Sequence, residues 1–542
     1  MPAAPHGYGG GVTGSTKPPR SAWVLFALVT GAIVANINLS IANVALPTIG
    51  ADLGADQAQL SIIADAFALG LASTVLYLGA VGDRHGRKLL FVLGAILTVP
   101  TAFLAAYAPS GEVLAVARLL GRIAAAMLFP TTLSLISALY SGGARVRAIA
   151  LWSGLGGGFA ALGPVVGGWM LERYWWGSVF LITVPVVIVV LVVGLVVLPW
   201  HAQEESFRID HRGGVLSVLG VGGLIVAIET ADHGVTPTWL GIVAGAVASL
   251  AAFFWWQRRA PRPLVDLTLA RHRTFWVAFV AGAITFGSLI GAMFIGQQFT
   301  QNVLGYSTFA AALVVVPATV LSAIGGQAAG ALITRAGSRA SLLLGLVSVA
   351  LAFAVMLLAW RDDAWVGWIL MAYGLIGLGV GLAATPASRA LMGSVPPARA
   401  GMGSGFLDLT RDFGGAVLQA IMGGLLATAY AANITRDLAA LPQDEASQIG
   451  TSTADALTSS YSSAVQVAQQ YPTSVQEQII AGASSAFTAG KSWAILVALV
   501  LTLAGLALVW FVFPRRAAEE AYYQQVVADA VPAASTDSRS GQ

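Results

Sequence analysis

The chain has 542 residues, of which 57% are hydrophobic and only 10% are charged. A soluble protein carries about 25% charged residues. Here the charge is missing from long stretches, each able to cross a hydrocarbon core of about 30 Å, so a polytopic α-helical membrane protein is predicted. The absence of cysteine excludes disulfides and thiolate sites. The net charge of +3 is typical of basic cytoplasmic loops on such a protein, rather than of nucleic-acid binding.

The pattern of apolar runs predicts fourteen spans after a Gly/Pro-rich tail, residues 1–21. The first apolar run is too long for a signal peptide and is expected to be retained. Spans 1 to 6 are predicted at 22–46, 59–81, 89–107, 112–139, 148–171 and 178–199. Spans 7 and 8 (214–231 and 238–257) lie between a polar connector, 201–212, and a basic connector, 258–273. Spans 9 to 14 are predicted at 274–299, 308–333, 340–360, 364–392, 401–430 and 488–513.

An even number of spans places both termini on one side, and the positive-inside rule favours the cytoplasm. Most Lys and Arg residues then lie inside, and the outside segments hold Arg173, Arg361, Arg436 and Lys491. The polar segment 431–486 lies outside. It is predicted to be a partly ordered linker, with a dedicated lid as the alternative. Residues 515–542 form a soluble cytoplasmic tail.

A charged turn follows span 2 and contains Gly79, Gly82, Asp83, Arg84, Gly86, Arg87 and Lys88. Its glycines permit a sharp turn and close approach of backbones. Residues 79–90 resemble the G-x-x-x-D-R-x-G-R-[KR] signature of the major facilitator superfamily, which lies between spans 2 and 3 on the cytoplasmic side. The resemblance implies that Asp83 meets a helix end of the opposite half, that Arg87 holds the loop, and that the turn latches the outward-open state. The alternative is a purely topological role.

Span 5 carries a series of small or helix-bending residues: Gly154, Gly158, Gly163, Pro164, Gly167 and Gly168. Small residues at this spacing let a neighbouring helix pack closely, and proline removes one backbone hydrogen bond. The series resembles the antiporter motif of the same superfamily, which is associated with exporters rather than importers.

Four further segments resemble the branch of fourteen-helix drug:proton antiporters: 43–47, 263–267, 304–307 and 401–415. The resemblance implies an all-α major facilitator fold with two six-helix bundles, 22–199 and 274–514, and an inserted helix pair within 200–273. Between spans 10 and 11, Gly326, Gly330, Arg335, Gly337 and Arg339 form a degenerate echo of the charged turn. Parallel halves of this kind suit alternating access around a central cavity.

The chain departs from the branch pattern at charged positions. Asn38, which cannot titrate, replaces the usual acid of span 1. In span 4 Arg118 is retained, but Arg122 replaces a glycine, and Asp65 stands in span 2 where a small polar residue is usual. A charge near mid-bilayer costs at least about 2.5 kcal/mol, and Asp65 and Arg122 differ in depth by about 6 Å. We therefore predict that Asp65 pairs with Arg122 or Arg118 and supplies the titratable carboxylate. A static salt bridge is the alternative.

Span 13 offers another site for charge coupling. Asp408 and Asp412 share a helix face with Arg411 beside them, so one of two acids around one arginine could titrate. The alternative is that they lie near the cytoplasmic end of the span and stay hydrated. Arg389 is predicted to snorkel to the inner surface. Candidates for contact with substrate are Asn38, Phe286, Met293, Phe294, Gln297 and Gln298.

These features predict a secondary exporter of amphipathic or hydrophobic compounds in the cytoplasmic membrane, driven by proton antiport. No phosphate-binding loop supports ATP hydrolysis, and no catalytic motif supports an enzyme. The alternatives are export of a lipid or an endogenous metabolite with altered proton coupling, and a sensor derived from a transporter. We expect a small substrate, protons and membrane lipids as partners, no nucleic acid, no cofactor or metal, and a monomer.

Overall fold

The computed structural model describes residues 18–53, 63, 74, 77–160, 163–200, 209–229, 236–261, 263–265, 267, 269–396, 400–440, 451–459 and 461–530. The structure is 87% helical and contains no strand within these ranges. Ten helices in the described part are long and apolar enough to cross a membrane. A helix satisfies its backbone hydrogen bonds internally, which the bilayer core requires. The predicted all-α membrane protein is confirmed, while the number of fourteen spans stays a prediction.

The N-terminal group of helices corresponds to spans 1 to 6. It consists of α1 (Ser21–Leu53), α2 (Arg87–Ala106), α3 (Gly111–Leu139), α4 (Gly142–Ala160), α5 (Gly163–Leu171), α6 (Ser178–Leu181) and α7 (Thr183–Val197). Most of span 2 lies outside the described residues, but 77–85 are helical and lead into α2. Helix α1 packs against α3, α4, α5 and α7. Ser110 caps α3 by accepting a hydrogen bond from the backbone N–H of Val113.

Two helices of spans 7 and 8, α8 (His211–Glu229) and α9 (Pro237–Gln257), pack against each other. Thr236 caps α9 through the backbone N–H of Trp239, and Pro237 occupies the first turn. Helix α8 also contacts the residues before α2, because the hydroxyl of Tyr77 lies 2.7 Å from Nδ1 of His211.

The C-terminal group begins after the basic connector. Its helices are α10 (Arg273–Gln298), α11 (Thr308–Leu313), α12 (Val316–Ala336), α13 (Ser338–Ala359), α14 (Val366–Gly393), α15 (Ala400–Ala439), α16 (Thr451–Ser459), α17 (Tyr461–Ala468), α18 (Thr473–Val512) and α19 (Arg516–Ala530). A π-helical turn, Phe299–Val303, follows α10. The densest packing in this group joins α14 to α12 and α13, and α15 to α10 and α18.

The predicted partly ordered linker, 431–486, is largely helical where it is described. Helix α15 runs to Ala439 and α18 begins at Thr473, so both extend well beyond the predicted spans. The apolar run ends where the membrane ends, but a helix continues into water if helix-forming residues such as Ala and Gln follow. The tail also contains a helix, α19, which was not predicted.

The two groups meet along α4, which packs on α12 and α14, and along α3, which packs on α15. The surface turned away from this seam is apolar. Leu93 and Leu97 on α2 and Val189 and Val196 on α7 are exposed, as expected for side chains that face lipid. We call the end of the bundle that carries the charged turn the turn end. The helix termini beside residues 142, 336 and 401 also lie there.

Candidate functional site

Asp83 joins the charged turn to the first residues of α15. Its carboxylate accepts hydrogen bonds from the backbone N–H of Gly401 at 2.9 Å and of Met402 at 3.3 Å. Nη2 of Arg87 lies 3.0 Å from Oδ1 of Asp83, and both side chains are almost completely buried. A carboxylate at a helix N-terminus satisfies orphan N–H donors and interacts favourably with the helix dipole. Asp83 therefore connects the two groups through the end of a helix.

This connection requires two glycines. A Cβ atom on Gly401 would collide with the carbonyl oxygen of Gly79, and a Cβ atom on Gly79 would press on the carbonyl oxygen of Gly401. Gly86, with φ of 113°, then reverses the chain before α2 in a conformation that disfavours other residues. The turn and α15 approach as closely as two backbones can.

The remaining charges of the turn act within the N-terminal group or in solvent. Nζ of Lys88 donates to the carbonyl oxygens of Leu195 at 2.7 Å and Leu198 at 2.6 Å, at the end of α7, and lies 4.3 Å from the ring centre of Trp200. Lys88 therefore caps a helix C-terminus. Arg84 is exposed. Of the turn residues proposed as a latch, Asp83, Arg87 and Gly79 are at the seam.

Asp83 lies in the turn, outside the membrane-spanning segments. Burial raises the pKa of its carboxyl from 3.8 to about 6, although Arg87 and the N–H groups of Gly401 and Met402 lower it. The carboxylate is charged at neutral pH, but because burial outweighs these contacts, ionising it costs about 3 kcal/mol more here than in water. The contact is specific and also easy to release.

A second polar connection lies farther along α15. Nη2 of Arg122, on α3, is 3.1 Å from Oδ2 of Asp412. The Arg122 side chain is only 3% exposed and that of Asp412 is 17% exposed. This ion pair joins the two groups in a region of low dielectric constant, where a charge without a counter-charge is expensive. The predicted partner of Arg122, Asp65, lies outside the described residues.

Beside this pair, Arg411 binds Asn36 of α1. Its Nη2 donates to Oδ1 of Asn36 at 2.6 Å, while Nδ2 of Asn36 donates to the carbonyl oxygen of Ala32. The guanidinium carbon lies 4.7 Å from the ring centre of Phe129 and 5.3 Å from that of Phe286, within the range of cation–π attraction. Asn36 was not predicted as a site residue, although it is one of three asparagines in the largely apolar span 1.

Asp408 completes the cluster one helical turn before Asp412. It is 2% exposed, and its Oδ2 has no hydrogen-bond partner among the described residues. Asp408 is buried whereas Arg411 and Asp412 are half-buried, so the alternative in which all three stay hydrated at the end of the span does not hold for Asp408. The start of α15 is covered by the charged turn, and α1 and α3 cover the next turns of the helix. Arg118 is also buried, on α3 one turn from Arg122.

The glycines of span 5 lie at the seam in part. A Cβ atom on Gly154 would meet the backbone of Ser322 and Ala323 at 3.2–3.3 Å, and one on Gly326 would meet the backbone of Ala150 and Gly154. Helices α4 and α12 therefore pack backbone to backbone. Gly163, Gly167 and Gly168 of α5 are buried too, and a Cβ atom on Gly168 would lie 3.7 Å from Phe309. Gly158 lies in α4 and Pro164 in α5.

The predicted cavity residues divide into two sets. Phe286 faces Arg411 at the seam. Phe294 is within reach of a Cβ atom on Gly423, and Gln297 donates to the carbonyl oxygen of Ala311, so both pack inside the C-terminal group. Met293 and Gln298 are half-buried, and the side chain of Asn38 lies outside the described residues.

Comparison with known proteins identifies the family. A model described as Major Facilitator Superfamily matches residues 28–419. The chain belongs to the major facilitator superfamily. Its relatives in this superfamily include the multidrug efflux pump LfrA of Mycolicibacterium smegmatis, which is 32% identical over 93% of this chain and 99% of the relative.

Two more relatives have narrower names. The methyl viologen resistance protein SmvA of Salmonella typhimurium is 31% identical over 88% of this chain and 94% of its own length. The tetracenomycin C resistance and export protein of Streptomyces glaucescens is 29% identical over 74% of this chain and 76% of its own length. The similarity to transporters extends over most of the chain, and the residues of both polar connections lie within the matched range 28–419. The chain is therefore a membrane transporter with relatives in drug efflux and resistance.

Proposed function

We propose that this protein exports amphipathic or hydrophobic compounds across the cytoplasmic membrane by proton antiport and alternating access, with both termini and the turn end in the cytoplasm. The names of its relatives support drug export: one is a multidrug pump, one confers resistance to methyl viologen, and one exports tetracenomycin C. The basic connectors support the orientation. The buried cluster of Asp408, Asp412, Arg122 and Arg411 supports the coupling.

Asp408 is the proposed proton carrier, and it is the observation on which the coupling depends. Asp412 is held in an ion pair with Arg122, whereas Asp408 has a buried oxygen with no hydrogen-bond partner in the described part of the chain. A group that is buried and incompletely satisfied gains or loses a proton in response to small changes around it. Asp408 is therefore better suited to titration than Asp412.

Its titration changes the balance of charge at the seam. With Asp408 ionised, the cluster contains two carboxylates and two guanidinium groups, and Asp408 attracts Arg411 away from the neutral Asn36. With Asp408 protonated, Arg411 keeps Asn36 as its partner and α1 stays bound to α15. Because α15 is one continuous helix, a shift at Asp408 also moves Gly401, seven residues or about 10 Å away. Proton binding is thereby coupled to the contact at the turn end.

The test uses the full-length protein in liposomes, with ethidium as a cationic amphipathic probe and an imposed pH gradient. We expect the wild type to move ethidium uphill with counterflow of protons, recorded by a pH-sensitive dye in the lumen. Asp408→Asn should reduce uphill movement to that of protein-free liposomes while ethidium exchange at equal pH persists. Asp363→Asn, at an exposed acid, serves as the matched control.

The results separate the proposed function from its alternatives. Undiminished uphill transport by Asp408→Asn would overturn the assignment of Asp408. If the wild type moves no ethidium but redistributes a fluorescent phospholipid between the leaflets, the lipid-export alternative is correct. If it moves neither probe, drug export and lipid export are both contradicted for these substrates, and a sensor becomes the better explanation.

A further inference from the structure

The C-terminal helix α19 places a buried carboxylate at the start of α13. Glu519 is fully buried. Its Oε2 accepts a hydrogen bond from the backbone N–H of Ser338 at 3.2 Å, and its Oε1 accepts bonds from the hydroxyl of Ser338 and, at 2.9 Å, from that of Tyr523. A carboxylate with three donors at a helix N-terminus is a strong cap. The cap comes from a segment 181 residues later in the chain.

Arg389, near the end of α14, supplies the counter-charge. Its Nη1 lies 3.8 Å from Oε1 of Glu519 and 3.5 Å from the hydroxyl of Ser338, and the guanidinium carbon is 5.4 Å from the ring centre of Tyr523. The prediction that Arg389 snorkels to the inner surface stays a prediction. Its side chain is 21% exposed, and it turns toward a partner that α19 provides.

Other contacts anchor α19 to neighbouring helices. Nη1 of Arg516 donates to the carbonyl oxygen of Arg335, at the end of α12, at 3.0 Å. Tyr523 packs on Gly393 at the end of α14, and Tyr522 stacks on His272 just before α10, with ring centres 4.5 Å apart. Together with Ser338, these contacts connect α19 to four helix ends of the C-terminal group. The helix is docked rather than a loose tail.

Glu519 lies at the connection between α12 and α13, which is the degenerate echo of the charged turn. Gly337, with φ of 86°, precedes α13 just as Gly86, with φ of 113°, precedes α2. Asp83 lies three residues before Gly86, but Thr334 lies three residues before Gly337. The echo lacks the acid that would cap a helix at the turn end, and Glu519 provides a carboxylate there from α19.

We propose that α19 is a second latch, in which Glu519 caps α13 and neutralises Arg389, so that the turn end stays closed until α19 undocks. Arg145, in the first turn of α4, links this latch to the opposite group. Helix α4 packs on α14, which carries Arg389. Burial lowers the pKa of Arg145 to about 10, the positive charges of Arg389 and Arg87 act in the same direction, and Tyr523 of α19 acts in the opposite direction. Without Glu519, Arg389 would repel Arg145 across the seam and favour separation of the groups.

The proposal rests on the alternating access proposed above, so its test measures opening without transport. Ser404 is buried beside Gly79, Gly401 and Arg87, and Ser404→Cys changes one atom in a chain without cysteine. A charged maleimide reacts with this thiol only when the turn end opens. The labelling rate of the full-length protein in nanodiscs, with no substrate added, therefore reports the open population.

In the Ser404→Cys background, Glu519→Gln should raise the labelling rate about tenfold, a change equivalent to about 1.4 kcal/mol. Ser338→Ala, which removes only one donor, is a milder variant and should raise it about threefold. The matched control is Glu520→Gln, which removes the same charge from an exposed neighbour that pairs with Arg516 at 2.8 Å, and should leave the rate unchanged. Asp83→Ala breaks the first latch and shows that the thiol reports opening.

Each pattern of results has a distinct meaning. Faster labelling with Asp83→Ala, Glu519→Gln and Ser338→Ala, but not with Glu520→Gln, supports the second latch. Faster labelling with Asp83→Ala alone overturns it and leaves the transport function intact. Equal acceleration by Glu519→Gln and Glu520→Gln overturns the role of the buried carboxylate. No acceleration in any variant contradicts opening at this seam, and with it both latches.

Discussion

Helix α15 contacts the N-terminal group at two places that work by different physics. At its first turn, the backbone N–H groups of Gly401 and Met402 meet Asp83 through the closest approach that two backbones allow. Farther along, Asp412 and Arg411 reach Arg122 and Asn36 through long side chains. The first contact depends on shape and helix polarity, and the second depends on charge.

Because the two contacts depend on different interactions, we expect them to have different roles in the movement of the two groups. Long side chains can follow a displacement of a few ångströms. The contact of Asp412 and Arg411 with α3 and α1, which we call the middle contact, therefore persists through small movements and responds mainly to protonation. The contact of Gly401 and Met402 with Asp83, which we call the end contact, cannot stretch, because its hydrogen bonds are lost as soon as the backbones separate. The middle contact can therefore set the preferred state, and the end contact reports whether the groups are together.

The largest effect is expected when a charge is removed from the middle contact. Asp412→Ala removes the carboxylate that forms an ion pair with the buried guanidinium of Arg122, and we expect a loss of about 3 kcal/mol in the free energy of unfolding. Thermal unfolding of the purified protein, followed by tryptophan fluorescence, measures this loss.

Two further variants control for this effect. Asp437→Ala removes an exposed acid from the same helix and should change stability by less than about 0.5 kcal/mol. Combining Asp412→Asn with Arg122→Gln removes both charges and should restore much of the stability. If Asp412→Ala unfolds at the same temperature as Asp437→Ala, the middle contact is not held together by charge.

A smaller effect is expected from a substitution that disturbs the end contact. Gly401→Ala adds a single methyl group that collides with the carbonyl oxygen of Gly79, and overpacking of this kind costs about 2 kcal/mol. Because separation of the groups relieves the collision, labelling of Ser404→Cys should accelerate about 30-fold.

The same helix offers the control for this prediction. A Cβ atom on Gly424 meets nothing within 4 Å, so Gly424→Ala should leave the labelling rate unchanged and stabilise the helix slightly. Equal labelling of the two variants would show that the close approach of Gly79 and Gly401 is not what keeps the end closed.

Sequence reasoning was most informative where a motif encodes backbone geometry. The spacing of Gly79, Asp83, Gly86 and Arg87 describes a turn that can meet a helix end, because glycine and a short acid have few other uses in an apolar chain. The resemblance therefore led to the correct neighbourhood. What it could not give was the partner helix end at Gly401, since the position of that end depends on the packing of the whole C-terminal group.

Charged side chains in the middle of the bundle were harder to assign. Arg122 has a long, flexible side chain, and an estimate of depth led to the prediction that Asp65 pairs with Arg122 or Arg118, which stays a prediction because Asp65 lies outside the described residues. Among the described residues Arg122 forms an ion pair with Asp412, which the sequence did not indicate. Asn36, which binds Arg411, shows the same limit, because the rotation of α1 about its axis decides which of its side chains face the seam. Glu519 could not be predicted, since α19 was read as a tail.

The smallest predicted effect concerns pH and again separates the end contact from the middle one. With the groups together, the pKa of Asp83 is about 6, and with the groups apart we expect its ordinary value of 3.8. The closed state thus binds more protons between these two values, so acid should strengthen closure and a rise in pH through about 6 should weaken it. Lowering the pH from about 7 to about 5.5 should favour the closed state about fourfold.

Labelling of Ser404→Cys, divided by that of a cysteine at the exposed Ser474, measures this effect and cancels the pH dependence of the thiol itself. Asp83→Ala should abolish it. A pH dependence that survives in that variant would come from groups outside the contact of Asp83 with Gly401 and Met402. In that case the end contact would be governed by charge elsewhere, and the separation of tasks along α15 would be wrong.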